Sequence, residues 1–369
     1  MEKQKIIKDP LYKQILINSK HLRYLNSSEF QRLRYIKQTT SADLVYPNAN
    51  HTRFSHSIGT YHLMKKVITN GHMNLSSKEQ NDLLLAALLH DIGHGPFSHL
   101  WERIFTHFDH EEATIQILKK FKLQDVPNII QKKSPLSPLI TSTLDIDKLD
   151  YMARDSYFAG VSYGVMEVDF ITQRMYLKDN KLVIRPSSIS SVEDLITQRV
   201  NLFKTVYFHK AVEMFEHMLY LIFTRVGELL EQGVSIEVQK DILAFYHKKN
   251  TIQNLLNLND SIVISQIMQW KNYSDSILST LCTKYINRET INAINLEHTS
   301  KNIKDFEEKF NSALPLPYRY HISNQKITIL QTPIYVEFED GNLKALEDVS
   351  KIIKFYTTID FDVKYLFYM

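Results

Sequence analysis

The sequence predicts a mainly α fold: a helical bundle carrying one small β-hairpin, followed by a C-terminal α+β appendage. Three observations carry this. Apolar residues recur at helical spacing through most of the first 232 residues. A capping box, Ser76-Ser77-Lys78-Glu79, opens a helix whose run from Leu83 to Leu89 is apolar on nearly every side, as in a buried central helix. From Gln325 onward the texture turns β-branched and aromatic, with Asp340-Gly341-Asn342 as a turn.

The elements follow in order. Residues 10–40 read as helical with polar breaks, with Phe30, Leu33 and Ile36 on one face and Asn26-Ser27-Ser28 as cap candidates. Residues 41–55 lack periodicity and predict a loop. A helix is expected from about Ser55 to Asn70, where Gly71 ends it. The central helix stops after His90-Asp91, at Gly93 and Pro96. Glu111 to Phe121 is a further helix, and Pro127 to Pro138 a connecting loop. Residues 143–159 and 190–232 are helical, the second as one long helix with a Ser190-to-Glu193 capping box. Met175 to Ile184 predicts a hairpin around Lys178-Asp179-Asn180-Lys181. Helical patterns resume over 236–312, and the division falls between residues 1–234 and 235–369.

Composition is globular, with 44% hydrophobic and 23% charged residues. A net charge of +3 gives no global field demanding nucleic acid or an anionic membrane. Direct nucleic-acid binding lacks a basic run with interleaved aromatics and is left only a subunit interface as its place. Cys282 is the single cysteine, so an intrachain disulfide is excluded and a cytoplasmic setting is expected. The N-terminal Met-Glu-Lys-Gln-Lys leads into no signal-like apolar stretch, and no apolar run reaches bilayer length.

Nine of the 15 histidines fall between His51 and His110. Within that span His90-Asp91 closes the apolar helix. Taken alone, the pair reads as a satisfied histidine favoured by the helix dipole. Its surroundings reverse this. His56 opens a second helix and Asp147 a third, so two imidazoles and two carboxylates can meet on one ion. That donor set suits Fe, Mn, Zn, Ni or Mg rather than a cysteine-rich structural zinc site.

Three dense motifs surround these residues: His51-Thr52-Arg53-Phe54-Ser55-His56, His90-Asp91-Ile92-Gly93-His94-Gly95-Pro96-Phe97-Ser98-His99, and Asp145-Ile146-Asp147-Lys148-Leu149-Asp150-Tyr151-Met152-Ala153-Arg154-Asp155. Together with Gln31-Arg32-Leu33-Arg34-Tyr35-Ile36-Lys37-Gln38, they closely resemble the HD-domain superfamily. Within it, the chain looks like the deoxynucleoside triphosphate triphosphohydrolases, over roughly residues 10–232.

The resemblance implies an HD-domain helical bundle and His56, His90, Asp91 and Asp147 as ligands of a divalent metal. It implies water attack at the α-phosphorus of a dNTP, releasing deoxynucleoside and inorganic triphosphate. His110, with Glu111 as its carboxylate partner, matches the catalytic histidine, and His94 stands beside them. Arg53, His99, Lys148, Arg199 and Lys210 match phosphate-side positions. Tyr151, Asp155 and Gln38 match the sugar pocket, and Tyr207 a base-stacking position. A homo-dimer or homo-tetramer is implied as well. Where some relatives carry a guanine-reading acid this chain has Asn26, an amide that cannot accept both guanine N–H groups as a carboxylate does, so activation by a guanine nucleotide is not expected, nor is a sterile-alpha-motif region before residue 10.

Two other readings stay open. An HD phosphohydrolase acting on a monophosphate, a cyclic dinucleotide or a nucleic-acid end would share the metal core. A non-catalytic nucleotide-binding module would be expected to have lost a ligand or His110, and this chain has lost neither.

Overall fold

The computed structural model describes residues 4–164, 166–299, 303–310, 313–330, 332–359 and 361–369. Its frame is helical. The Arg53–Thr69 helix lies between Ser77–Leu89 and Ile146–Ala159, the three that carry the metal motifs. The capping box forms as read: Ser76 Oγ accepts from the Glu79 N–H, and the Glu79 carboxylate accepts from the Ser76 N–H. Leu83 to Leu89 are all buried. The Arg53 helix starts two residues before Ser55 and gives way at Asn70 to Gly71, whose φ of +81° favours glycine.

Residues 10–40 hold less helix than the pattern suggests. Gln4–Asp9 and Lys13–Asn18 form an antiparallel hairpin, and single turns follow at Leu22–Leu25, Ser28–Gln31 and Arg32–Tyr35. Phe30, Leu33 and Ile36 are nonetheless fully buried. Their three-residue spacing serves a 3₁₀ turn as well as an α-helix, so periodicity could not separate the two. The 127–138 segment likewise contains a short helix, Val126–Ile130, with Pro127 in its first turn, where a missing N–H is tolerated.

The long helix expected over 190–232 is broken. Ile189–Leu202 passes into a wide π-type turn at Phe203–Tyr207, and Lys210–Glu231 restarts with His209 as its cap. The Ser190 capping box is not used, because the cap position falls at Ser188. The break swings Tyr207 and Phe208 out of helical register and toward the cleft described below.

The hairpin at Met175–Lys178 and Lys181–Ile184 forms as predicted, with Asp179 and Asn180 both at positive φ in its two-residue turn. It is also joined by the late chain. Tyr335–Glu337 pairs in parallel with Lys181–Ile184, and Leu343–Ala345 completes a four-stranded sheet. Thr143 and Thr332 exchange hydrogen bonds at 2.9 and 2.7 Å. A second sheet places Phe361–Tyr368 between Asn292–Asn295 and Tyr320–Ile327. The C-terminal α+β region is therefore stitched to the helical core.

Two large apolar cores and two small clusters result among the described residues. One large core is built on the three motif helices, the other on Trp101, Phe215, Phe245 and Trp270. Phe208 packs against both, at the seam where the functional cleft opens.

Candidate metal centre and catalytic cleft

Two helix N-termini and one C-terminus converge. His56 lies in the first turns of Arg53–Thr69, His90 caps Ser77–Leu89, and Asp147 is the second residue of Ile146–Ala159. His56 Nε2 lies 3.3 Å from His90 Nε2, 3.0 Å from Asp147 Oδ1 and 3.7 Å from Asp91 Oδ2. His90 Nε2 is 3.5 Å from oxygens of both Asp91 and Asp147.

The partners of the other ring nitrogens fix the tautomers. His56 Nδ1 faces Asp150 Oδ2 at 2.8 Å, and His90 Nδ1 faces the Ala87 carbonyl at 3.0 Å. Both are acceptors, so each Nδ1 carries the hydrogen and each Nε2 turns a lone pair toward the other. Two lone pairs 3.3 Å apart beside carboxylates need a cation between them. The donor set therefore fits a divalent metal. Without one, a proton takes its place. Burial alone would push His56 down, but the carboxylates of Asp147 and Asp150 raise it to about 10. Burial would raise Asp147 and Asp91, yet both are held well below the usual carboxylate range, Asp147 by the two imidazoles and Asp91 by Arg53 and the neighbouring histidines.

Several contacts hold this arrangement. Arg53 donates to Asp91 Oδ2 at 2.5 Å and to Ser98 Oγ at 2.8 Å, so its guanidinium orients a carboxylate of this candidate cluster. Buried Arg32 donates to the carbonyls of Ile92 and His94, pinning the turn after the His-Asp pair. Gly59 lets two helices touch: a Cβ there would stand 1.9 Å from Asp150 Oδ1 and 2.4 Å from Arg154 Nη2. Gly59→Ala is expected to destabilise the protein by about 1–3 kcal/mol through overpacking. Urea unfolding would check this, and an unchanged midpoint would count against the close approach.

Beside the metal cluster sits a second group. His94 stacks on His110 with ring centroids 3.9 Å apart, and His99 meets both edge-on. Gly93 allows this: its N–H donates to Thr114 Oγ1 at 3.0 Å, and a Cβ would collide with the His110 carbonyl. The sequence assigned Glu111 as the carboxylate partner of His110. The structure instead places Glu102 Oε1 2.8 Å from His110 Nδ1, while Glu111 is exposed. The physical reason is helical geometry. As the residue after His110 on one helix, Glu111 points about 100° away, whereas Glu102 comes from the facing His99–Ile104 helix. Burial would raise the Glu102 carboxyl, but His110 and His99 lower it to about 2.

Both groups open onto a cleft of about 620 Å³. Gln38, Lys148, Tyr151, Asp155 and Tyr207 line it, as do Arg53, His99 and Glu111. Lys148 is tied to Asp145 Oδ2 at 2.9 Å. Gln38 Oε1 is buried with no hydrogen-bond partner among the described residues. Asp155 is fully engaged, taking His51 Nε2 at 2.6 Å and the Tyr207 hydroxyl at 2.5 Å. Two expected phosphate-side residues are placed elsewhere. Arg199 is buried behind the wall, donating to the Ile329 carbonyl at 2.8 Å, and Lys210 is exposed at the start of its helix. Neither lines the cleft. The late strand carrying Ile329 captures the Arg199 guanidinium, which spacing along the chain could not reveal.

Sequence reasoning missed Asp150, Glu102 and His51. Asp150 had a signal, since it lies one helical turn from Asp147. Gln325, from the C-terminal sheet, also lines the cleft beside Glu213, to which it donates at 3.1 Å, and had none.

Comparison with known proteins points to one family. The HD domain family model matches residues 53–155. An uncharacterized protein of Bacillus subtilis is 30% identical over 96% of this chain and 89% of its own length. The deoxynucleoside triphosphate triphosphohydrolase SAMHD1 homolog of Dictyostelium discoideum is 29% identical over 65% of this chain, which spans 52% of that protein. The crystal structure of a phosphohydrolase from Bacteroides thetaiotaomicron superposes with a TM-score of 0.88 at 28% identity, covering 100% of both chains. With its two imidazoles and two carboxylates gathered at the ends of three helices, this chain belongs to the HD-domain family of phosphohydrolases.

Proposed function

We propose that this HD-type phosphohydrolase hydrolyses dNTPs to deoxynucleoside and inorganic triphosphate. The observation that carries the reading is the shared cleft: the metal cluster, the His110–Glu102 pair and the Lys148–Tyr151–Asp155 helix face all open into it. A divalent cation held by His56, His90, Asp91 and Asp147 would supply Lewis acidity and activate water. Arg53 keeps the Asp91 carboxylate turned toward that position. Water attack at the α-phosphorus breaks its bond to the 5′ oxygen, which leaves needing a proton. His110, whose Nδ1 lies 2.8 Å from the Glu102 carboxylate and which lines the cleft, is assigned as its donor. Lys148 offers positive charge to the phosphates. Tyr151, on the helix face between Asp147 and Asp155, narrows the sugar end against a 2′-hydroxyl. Asp155 accepts the 3′-hydroxyl, and Tyr207, whose hydroxyl donates to Asp155, stacks on the base.

The metal is Mn, Fe, Mg, Zn or Ni, and a cytoplasmic homo-dimer or homo-tetramer is part of the same proposal. Among the described residues no helix is long and apolar enough to cross a membrane. The second reading, a phosphohydrolase of another nucleotide, draws on the same metal core and differs at the sugar and phosphate walls.

Product analysis separates them. Purified protein incubated with each dNTP and Mn or Mg should release inorganic triphosphate. Pyrophosphate or orthophosphate as the first product would rule out α-phosphorus attack with a nucleoside leaving group. Tyr151→Ala should then narrow the preference for dNTP over NTP by about 10-fold or more. An unchanged ratio would remove Tyr151 from the sugar wall.

A further inference from the structure

The turn of the N-terminal hairpin is connected to the metal centre by a buried chain of charge. Asp9 ends the first strand, and its Oδ1 accepts from the N–H groups of Leu11 and Tyr12 at 2.9 and 3.0 Å, which closes the turn. Its Oδ2 accepts from Arg154 Nη1 at 2.8 Å. Arg154 in turn grips Asp150 through Nε and Nη2 at 2.9 and 3.0 Å. The Tyr12 hydroxyl donates to Asp150 Oδ1 at 2.9 Å. Asp150 Oδ2 then accepts from His56 Nδ1.

Asp9 is 7% exposed, and Asp150 and Arg154 are fully buried. Such a chain is expensive to assemble away from water unless each member is satisfied. Two carboxylates against one guanidinium leave one negative charge in excess, and its outlet is the imidazole of His56. The hairpin is anchored on the helix that carries His56. Ile15 and Ile17 are fully buried, the Asn18 N–H donates to the Tyr61 hydroxyl on the helix that carries His56, and the Tyr12 ring stacks on His62 of that helix at 4.7 Å.

We propose that Asp9 and Tyr12 are positioning residues for the metal: they fix Asp150, and through it the tautomer and aim of His56. The inference rests on His56 being a ligand of a divalent cation. It assigns the N-terminal hairpin a part in the metal site and not only in the packing of the fold.

Cobalt(II) titration of the metal-free full-length protein, read by visible absorption, tests it. Tyr12→Phe removes one hydrogen bond and keeps the ring. It should weaken cobalt affinity about 10-fold, the lower end of what losing a partner of a metal ligand costs, and shift the cobalt bands, while the metal-free melting temperature falls by only a few degrees, as the loss of one buried hydrogen bond implies. Asp9→Asn should weaken affinity at least as much. Wild-type affinity and spectrum in Tyr12→Phe would overturn the proposal. So would an affinity loss confined to Asp9→Asn and matched by a fall in metal-free melting temperature, since packing alone would explain it. Failure of the wild-type protein to take up cobalt would overturn the metal reading beneath it.

Discussion

Replacing His90 and Asp91 together with alanine is expected to leave a folded protein that neither retains a divalent cation nor turns over nucleotide. The pair sits at the end of the central helix, after the buried run Leu83–Leu89 that holds it in place, so the apolar packing survives the change. The centre does not. Removing His90 deletes one of the two converging Nε2 atoms, and removing Asp91 deletes the carboxylate held by Arg53 and His94. Lewis-acid stabilisation is worth several kcal/mol, so kcat should fall by more than about 10³-fold. Metal content after dialysis, circular dichroism and triphosphate release read the three parts separately. Full turnover in a metal-free variant would refute the mechanism. The same cluster sets a pH dependence in the wild-type protein. His56 must give up its proton to bind a cation, and its folded pKa is raised from 6.5 to about 10. Apparent metal affinity should therefore climb with pH through the neutral range and level off above that value. The proton-linked stability of the metal-free protein runs the other way. A raised pKa stabilises fully below 6.5, and that contribution is lost as pH rises through about 10.

The sequence was most legible where local chemistry and tertiary role coincide. The capping box at Ser76, the glycine after Asn70 and the two-residue turn at Asp179-Asn180 are short-range devices, and each forms. His56, His90 and Asp147 were singled out for a different reason: each stands in a dense polar motif at a helix end, the three motifs together resemble one family, and the structure brings the three side chains within reach of one ion. What stayed hidden depends on approach between distant segments. Strand Tyr335–Glu337 finds its partner more than 150 residues away, and no local pattern encodes that pairing. The π-type turn at Phe203–Tyr207 adds residues to one helical turn without altering composition, so 190–232 reads as continuous. Arg199 and Lys210 have suitable side chains for phosphate, but one is captured by the Ile329 carbonyl and the other faces solvent. The Glu111 assignment failed for the same reason, since sequence adjacency to His110 does not place it on the same side of the helix.

That last difference yields a sharp expectation. His110→Ala should keep the metal and bind nucleotide, yet lose about 10²- to 10⁴-fold in kcat, the usual range for a positioned proton donor. Glu102→Gln should lose less, because the imidazole remains but is no longer held by a charge. In the His110→Ala background, Glu102→Gln should cost little more, since a carboxylate that acts only through the histidine has nothing left to orient. Glu111→Gln serves as the contrast and should change kcat by less than about threefold, as an exposed residue outside the pair. The Glu102 carboxyl is lowered from 4.5 to about 2, burial notwithstanding, by His110 and His99. It therefore stays ionised through the whole working range, and its stabilising contribution, full above pH 4.5, is lost only as pH falls through about 2. The acid limb of the kcat profile should accordingly be unchanged in shape by Glu102→Gln while its height drops. A large loss in Glu111→Gln with none in Glu102→Gln would restore the pairing that chain order suggested and refute the one drawn from the 2.8 Å contact between His110 and Glu102.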